Sequence, residues 1–299
     1  MIFNRLLLSA LLSFHCVSAL PVASTRLPPQ VVEPVIRQVD HILISSDDPA
    51  SLFDFFAGTL HLPVAWPLAD YEGFSSGGVG AGNVNIEVLR APVRKGSSPV
   101  RGARARYAGF AFEPVPLLQS LAQLKTRGIT HGPREPYRSA LPDGSEGISW
   151  TTVVLTQFSQ SGLSVFLCEY NPAFLNVEIR RNQLGGRLAL DEGGPLGIRF
   201  VKEIVIRTKD LNGDSERWQR LFLPVAPSMA NGWQIGNGPA IRLTPGSGRE
   251  IQRIVLRVAS LSRARDFLER KQLLGAVTAR GITLNATGLQ GLDIMLVEQ

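Results

Sequence analysis

Val84-Asn85-Ile86-Glu87-Val88-Leu89 alternates apolar and polar residues as far as Val88, which predicts a strand buried on one face. Ala240-Ile241-Arg242-Leu243 repeats the alternation in the second half of the chain. Upstream of each lies the same series of patterns. A V-x-x-I-x-I strand (Val39 to Ile44, Val201 to Ile206) leads into a turn carrying Asp48 or Asp210, then an amphipathic helix, then Leu-Pro-Val-Ala at 62–65 and 223–226. Aligning the two copies needs a gap of one residue, so the pattern reads as an internal duplication. Two further units follow the same order. Residues 106–127 predict strand then helix, with strands at 150–155 and 163–170, while 251–271 predict strand then helix, with a last strand at 292–297. Four βαβββ-like units in two pairs make the expected fold class α+β.

The ends of this pattern set the expected domains. Residues 1–20 place Arg5 before the apolar run Leu6 to Leu12 and small residues at 17–19, the layout of a secretory signal peptide, which predicts a secreted or periplasmic protein. The apolar stretch is too short and too interrupted to predict a stable membrane span. Residues 21–37 hold four prolines and read as an extended linker. Residues 38–172 form the first expected domain and 201–299 the second. Between them, 173–200 reads as a polar, helix-compatible linker ending in the loop Glu192 to Gly197.

Composition narrows the function classes. The 299 residues are 44% hydrophobic and 19% charged, which excludes a disordered polyelectrolyte and leaves material for a large core. Cys16 lies in the leader segment, so Cys168 alone would remain after cleavage, excluding an intramolecular disulfide and a Cys₄ zinc site. The formal charge of +6 is densest at 90–106, where six basic residues meet no acidic one. That stretch reads as a solvated loop, or as a gate drawing anionic substrates; it lacks interleaved aromatics, and no nucleic-acid partner is expected. The glycine-rich run at 77–82 precedes a strand instead of opening a helix, which excludes a phosphate-cradling loop.

The candidate chemistry sits on the predicted strands. His41, Leu43 and Ser45 share one strand face, and Asn85, Glu87 and Leu89 share another, so packing the all-apolar faces on helices would aim His41 and Glu87 at one space. The paired units, His41 in Val39-Asp40-His41-Ile42-Leu43-Ile44 and Glu87 in the closing strand resemble the vicinal oxygen chelate superfamily, which includes glyoxalase I, bleomycin-resistance proteins and extradiol dioxygenases. Gly128-Ile129, Pro142-Asp143-Gly144, Trp150 and Phe166 to Tyr170 add to the resemblance in the first half.

The resemblance implies cupped mixed sheets with helices outside and one divalent metal (Zn, Fe, Mn or Ni) held by His41 and Glu87. A second-unit ligand is harder to find. The expected opening position falls at Ala108 or Gly109, and Phe166 matches Glu87 by simple register. Glu169 is then the expected third ligand, brought inward by a bulge or register shift, with Asn85, Tyr107 and Trp150 lining the substrate space. In the second half Glu203 and Arg242 replace His41 and Glu87, which predicts an ion pair and no metal site. Two functions remain open. One is a metal-dependent lyase, isomerase or dioxygenase acting on a small oxygenated substrate. The other is a metal-free pocket that sequesters a small hydrophobic or anionic ligand. A homodimer is also left open.

Overall fold

Apolar residues at alternate positions of β1 (Ile36–Ser46) give Ile42 and Ile44 no exposure, and Ile86 and Val88 on β4 (Asn85–Arg90) are likewise sealed. These positions form the inner face of a sheet whose other face is free to build a cup. In the computed structural model the residues described are 32–71, 73–90 and 105–298. The predicted leader segment 1–20, residues 21–31 of the predicted linker and most of the basic loop, 91–104, lie outside them.

The first unit runs from β1 through α1 (Pro49–Asp54), which passes into a π-helical turn at Phe55–Thr59, to β2 (Val64–Tyr71), β3 (Phe74–Gly80) and β4. The second comprises β5 (Ala105–Pro114), α2 (Leu117–Thr126), β6 (Arg134–Ala140), β7 (Glu146–Val154) and β8 (Ser164–Tyr170). Helix α3 (Val177–Leu190) leads to the third unit, β9 (Ile198–Thr208), α4 (Leu211–Phe222), the two-residue β10 (Gly232–Trp233) and β11 (Ala240–Pro245). The fourth holds β12 (Glu250–Val258), α5 (Leu261–Arg270), β13 (Leu274–Thr278), β14 (Gly281–Leu284) and β15 (Ile294–Val297). The third unit is thus βαββ, one strand short of the predicted pattern.

Strand order in the first sheet is β2-β3-β4-β1-β5-β8-β7-β6, and in the second β10-β11-β9-β12-β15-β14-β13. In each unit the opening strand pairs in parallel with the closing one, which the helical crossover makes feasible. The opening strands of paired units meet antiparallel at the sheet centre. The result is an α+β fold of paired βαβββ modules with curled sheets. Asp48 and Asp210 fill the same place in both halves, each capping its helix by accepting from the backbone N–H of Ser51 or Gly213.

One core serves both sheets. The Trp218 indole from α4 reaches Phe110 and Phe112 of β5 at centroid distances of 6.2 and 6.4 Å, and Phe158 at 4.7 Å. Arg127, just past α2, donates to the carbonyls of Arg220, Leu221 and Leu223, placing a cation at the C-terminal end of α4. Residues 33–298 therefore cluster as one unit.

Two predicted linkers change. The strand opens at Ile36, and the Val35 carbonyl accepts from the Ser120 hydroxyl at 2.7 Å, so the end of 21–37 belongs to the fold. The 173–200 stretch holds the 14-residue α3, capped by Asn176, which accepts from the Ile179 N–H, and buries Leu184 and Leu188. The helix-compatible stretch is thus a packed helix, held by a narrow apolar stripe among polar residues.

Candidate small-molecule site

Strict alternation would send Asp40 and His41 to opposite faces of β1. A register shift against β5 between Val39 and His41 turns both side chains into the cup of the first sheet. They are 3% and 5% exposed, and the His41 Nδ1 lies 2.6 Å from Asp40 Oδ2. On the other side of the ring, His41 Nε2 faces Glu87 Oε2 at 3.4 Å.

A chain of polar contacts extends from this centre. The Ser76 hydroxyl donates to Glu87 Oε1 at 2.6 Å, and the Trp66 indole N–H donates to Ser76 Oγ at 3.1 Å. Tyr170 donates to Asp40 Oδ2 at 3.3 Å, while Arg181 from α3 pairs with Asp40 at 3.6 Å and Glu113 at 3.2 Å. Trp66 can lie across β3 only because residue 78 is glycine; a Cβ there would come within 2.4 Å of the indole ring.

Burial by itself lowers the His41 pKa, but the Asp40 hydrogen bond and the charges of Asp40 and Glu87 outweigh it, so the net shift is upward. The imidazole is thereby favoured as a cation between two carboxylates, with both ring nitrogens able to donate. Burial pushes the Cys168 thiol in the cup wall well up, which keeps it neutral.

Above this floor lies a cavity of about 620 Å³. Its walls include Trp66, Tyr71, Phe74, Trp150, Phe166 and Phe174. Tyr137 stacks on Trp150 at 4.1 Å and 12°, fixing that wall. The volume falls among those of small-molecule pockets, and an apolar lining with a few convergent polar groups is their usual make-up.

No protein-family model matches the chain, and no curated protein does. Solved structures do. Homoprotocatechuate 2,3-dioxygenase from Arthrobacter globiformis aligns over 91% of this chain and 82% of its own, with a TM-score of 0.58 at 14% identity. The Brevibacterium fuscum enzyme in its anaerobic complex with 3,4-dihydroxyphenylacetate aligns over 91% and 83%, with a TM-score of 0.56 at 12% identity. A hypothetical protein from Staphylococcus aureus aligns over 88% and 99%, with a TM-score of 0.57 at 10% identity. The chain shares the fold of these solved structures.

Within this fold the predicted residues separate into two groups. His41, Glu87, Asn85 and Trp150 all line the first cup. Glu169 does not. The registers of β8 against β5 and β7 run without a bulge, so Glu169 stays on the opposite face, where its carboxylate accepts from the Leu117 N–H at 2.6 Å and caps α2. Tyr107 is also elsewhere. It pairs in register with Ile44, whose side chain is buried in the core, and its hydroxyl donates to the Asp293 carbonyl at 2.8 Å, joining the two halves.

The register also locates the second-unit counterparts of His41 and Glu87. His41 opposes Asn85, and Glu87 stands two residues on; Gly109 opposes Ser164, and Phe166 stands two residues on. Gly109 has φ +150°, and a Cβ there would lie 1.9 Å from the Ser164 carbonyl oxygen, so no side chain fits. The Phe166 ring meets the His41 imidazole edge-on at 5.7 Å. Among the described residues no three His, Cys, Asp or Glu side chains are grouped to hold a metal ion. Asp40 is spent on the far ring nitrogen of His41. The donors present, His41 and Glu87, do not fit a resident divalent ion, which takes at least three protein ligands in catalytic zinc sites.

The corresponding positions of the second sheet hold the predicted ion pair. Glu203 opposes Ala240, Arg242 stands two residues on, and its Nε donates to Glu203 Oε2 at 2.7 Å. Asp40, Ser76, Tyr170 and Arg181 are the site residues that sequence reading misses. For Asp40 the adjacent acidic residue in Asp40-His41 is the available signal. No helix among the described residues is long and apolar enough to cross a membrane.

Proposed function

We propose that the first cup is a metal-independent small-molecule site that takes up a flat, largely apolar ligand and offers it a proton from His41. The observation that carries this reading is the substitution of the second-unit donor positions by Gly109 and Phe166 around a cavity that stays open and aromatic-walled. Asp40 orients the imidazole and stabilises its charge, as a carboxylate behind a histidine does in other proton-transfer sites. Glu87, held by Ser76, is the second group within reach of the ligand and can accept a proton.

Calorimetric titration with 2-naphthol tests this, on protein dialysed against a chelator and on protein supplied with Zn²⁺, Fe²⁺, Mn²⁺ or Ni²⁺. Binding of equal affinity in all samples, weakened in the Trp150→Ala variant, supports the site. Binding that appears only with metal overturns it and favours a divalent-metal enzyme of the lyase, isomerase or dioxygenase type. Export and homodimerisation complete the proposal. N-terminal sequencing of protein secreted by its producing cell and light scattering in solution test them; a retained residue 1, or a monomer at all concentrations, counts against each.

A further inference from the structure

The segment between the two halves supplies one wall of the cup through Phe174, Leu175, Val177, Arg180 and Arg181. The two arginines differ in their surroundings. Arg181 is tied to Asp40 and Glu113. Arg180 lines the same cavity, is half-buried, and its guanidinium makes no hydrogen bond or ion pair among the described residues. Helix stability does not explain it, because a cation in the first turns of α3 opposes the helix dipole. A guanidinium facing an apolar cavity gains most from an anion that shares the cavity, through charge-assisted and often paired hydrogen bonds.

Resting on the small-molecule reading above, we infer that Arg180 is a specificity-determining residue that binds a single negative charge on the ligand. The cup then selects flat aromatic monoacids over neutral molecules of the same shape. The charge balance limits the anion. Asp40 and Glu87 lie on the cavity floor, Arg181 and His41 are already engaged with them, and among the described residues lining the cavity only Arg180 remains to meet added negative charge. A carboxylate matches that one cation, whereas a phosphate dianion would place its second charge near Glu87.

The test titrates the full chain with 2-naphthoate, 2-naphthalenemethanol and 2-naphthyl phosphate, following tryptophan fluorescence and heat, in the wild type, R180Q and R180K. The wild type binds the carboxylate about 10-fold or more tighter than the alcohol, as a hydrogen-bonded charge contact implies. R180Q removes the preference by weakening only the acid, and R180K keeps part of it. The phosphate binds more weakly than the carboxylate. Equal binding of acid and alcohol, a preference that survives R180Q, or tighter binding of the phosphate overturns the role of Arg180 while leaving the site standing. Failure of all three probes with the wild type removes the small-molecule site itself, and this inference with it.

Discussion

Phe166 stands at the position related to Glu87 by strand register, and its ring meets the His41 imidazole edge-on, with 5.7 Å between centroids and 67° between planes. An aromatic ring at this place packs the side of the cup where another donor would face His41. The fold is unchanged while the chemistry open to it is altered.

Phe166→His should therefore create a three-donor site. The imidazole replaces one ring by a smaller one in an already aromatic setting, so the variant is expected to fold. Zn²⁺ should raise its melting temperature, by about 2.7 kcal/mol of stabilisation at free metal 100-fold above Kd. The wild type and the F166H/H41A double variant should show no such rise. A wild type stabilised as strongly as F166H would contradict the account.

The environment of His41 predicts a pH dependence of stability. Its folded pKa is raised, so the stabilisation is fully present below the unfolded histidine value of about 6.5 and is lost as pH rises through the folded value. Urea denaturation of the wild type should thus show a contribution that falls as pH rises above about 6.5. Asp40→Asn removes the acceptor charge and should flatten that slope. An unchanged slope in D40N would show that the histidine does not depend on this carboxylate.

Glu169 caps a helix in place of ligating in the cup. Glu169→Ala should lower stability by ~0.5–2 kcal/mol, the usual effect of losing a cap, and leave ligand affinity unaltered. Chemical denaturation and a binding titration on the same variant separate the two roles. A loss of binding without a loss of stability would return Glu169 to the site.

The shared core predicts that both halves unfold together. Trp218 touches Phe110, Phe112 and Phe158 across the junction, so Trp218→Ala should cost about 3–5 kcal/mol. Near- and far-ultraviolet signals should still change in one coincident transition. Two separated transitions in the wild type would instead favour independent domains.

The faces of β1 and β4 are legible from residue alternation, because Ile42, Ile44, Ile86 and Val88 mark the core side and leave His41 and Glu87 on the other. The counterparts Gly109 and Phe166 follow from the same register. Asp40 is harder to place, since a bulge depends on how β1 meets β5, a strand some seventy residues away, and nothing local announces it. For Glu169 and Tyr107 the question is again which face a strand turns, and unbroken pairing or an extra residue at Ala108 decides it. Helix α3 reads only as a helix-compatible linker because Gly185 and Gly186 interrupt a mostly polar sequence, while the packing of Leu184 and Leu188 secures it.

Metal content tests the central claim most directly. The wild type, His41→Ala and Glu87→Ala are each incubated with Zn²⁺, Fe²⁺, Mn²⁺ or Ni²⁺, desalted, and analysed by mass spectrometry for bound metal. The account predicts well under one ion per chain in the wild type, with no difference between it and either variant. One ion per wild-type chain, lost in both variants, would contradict it.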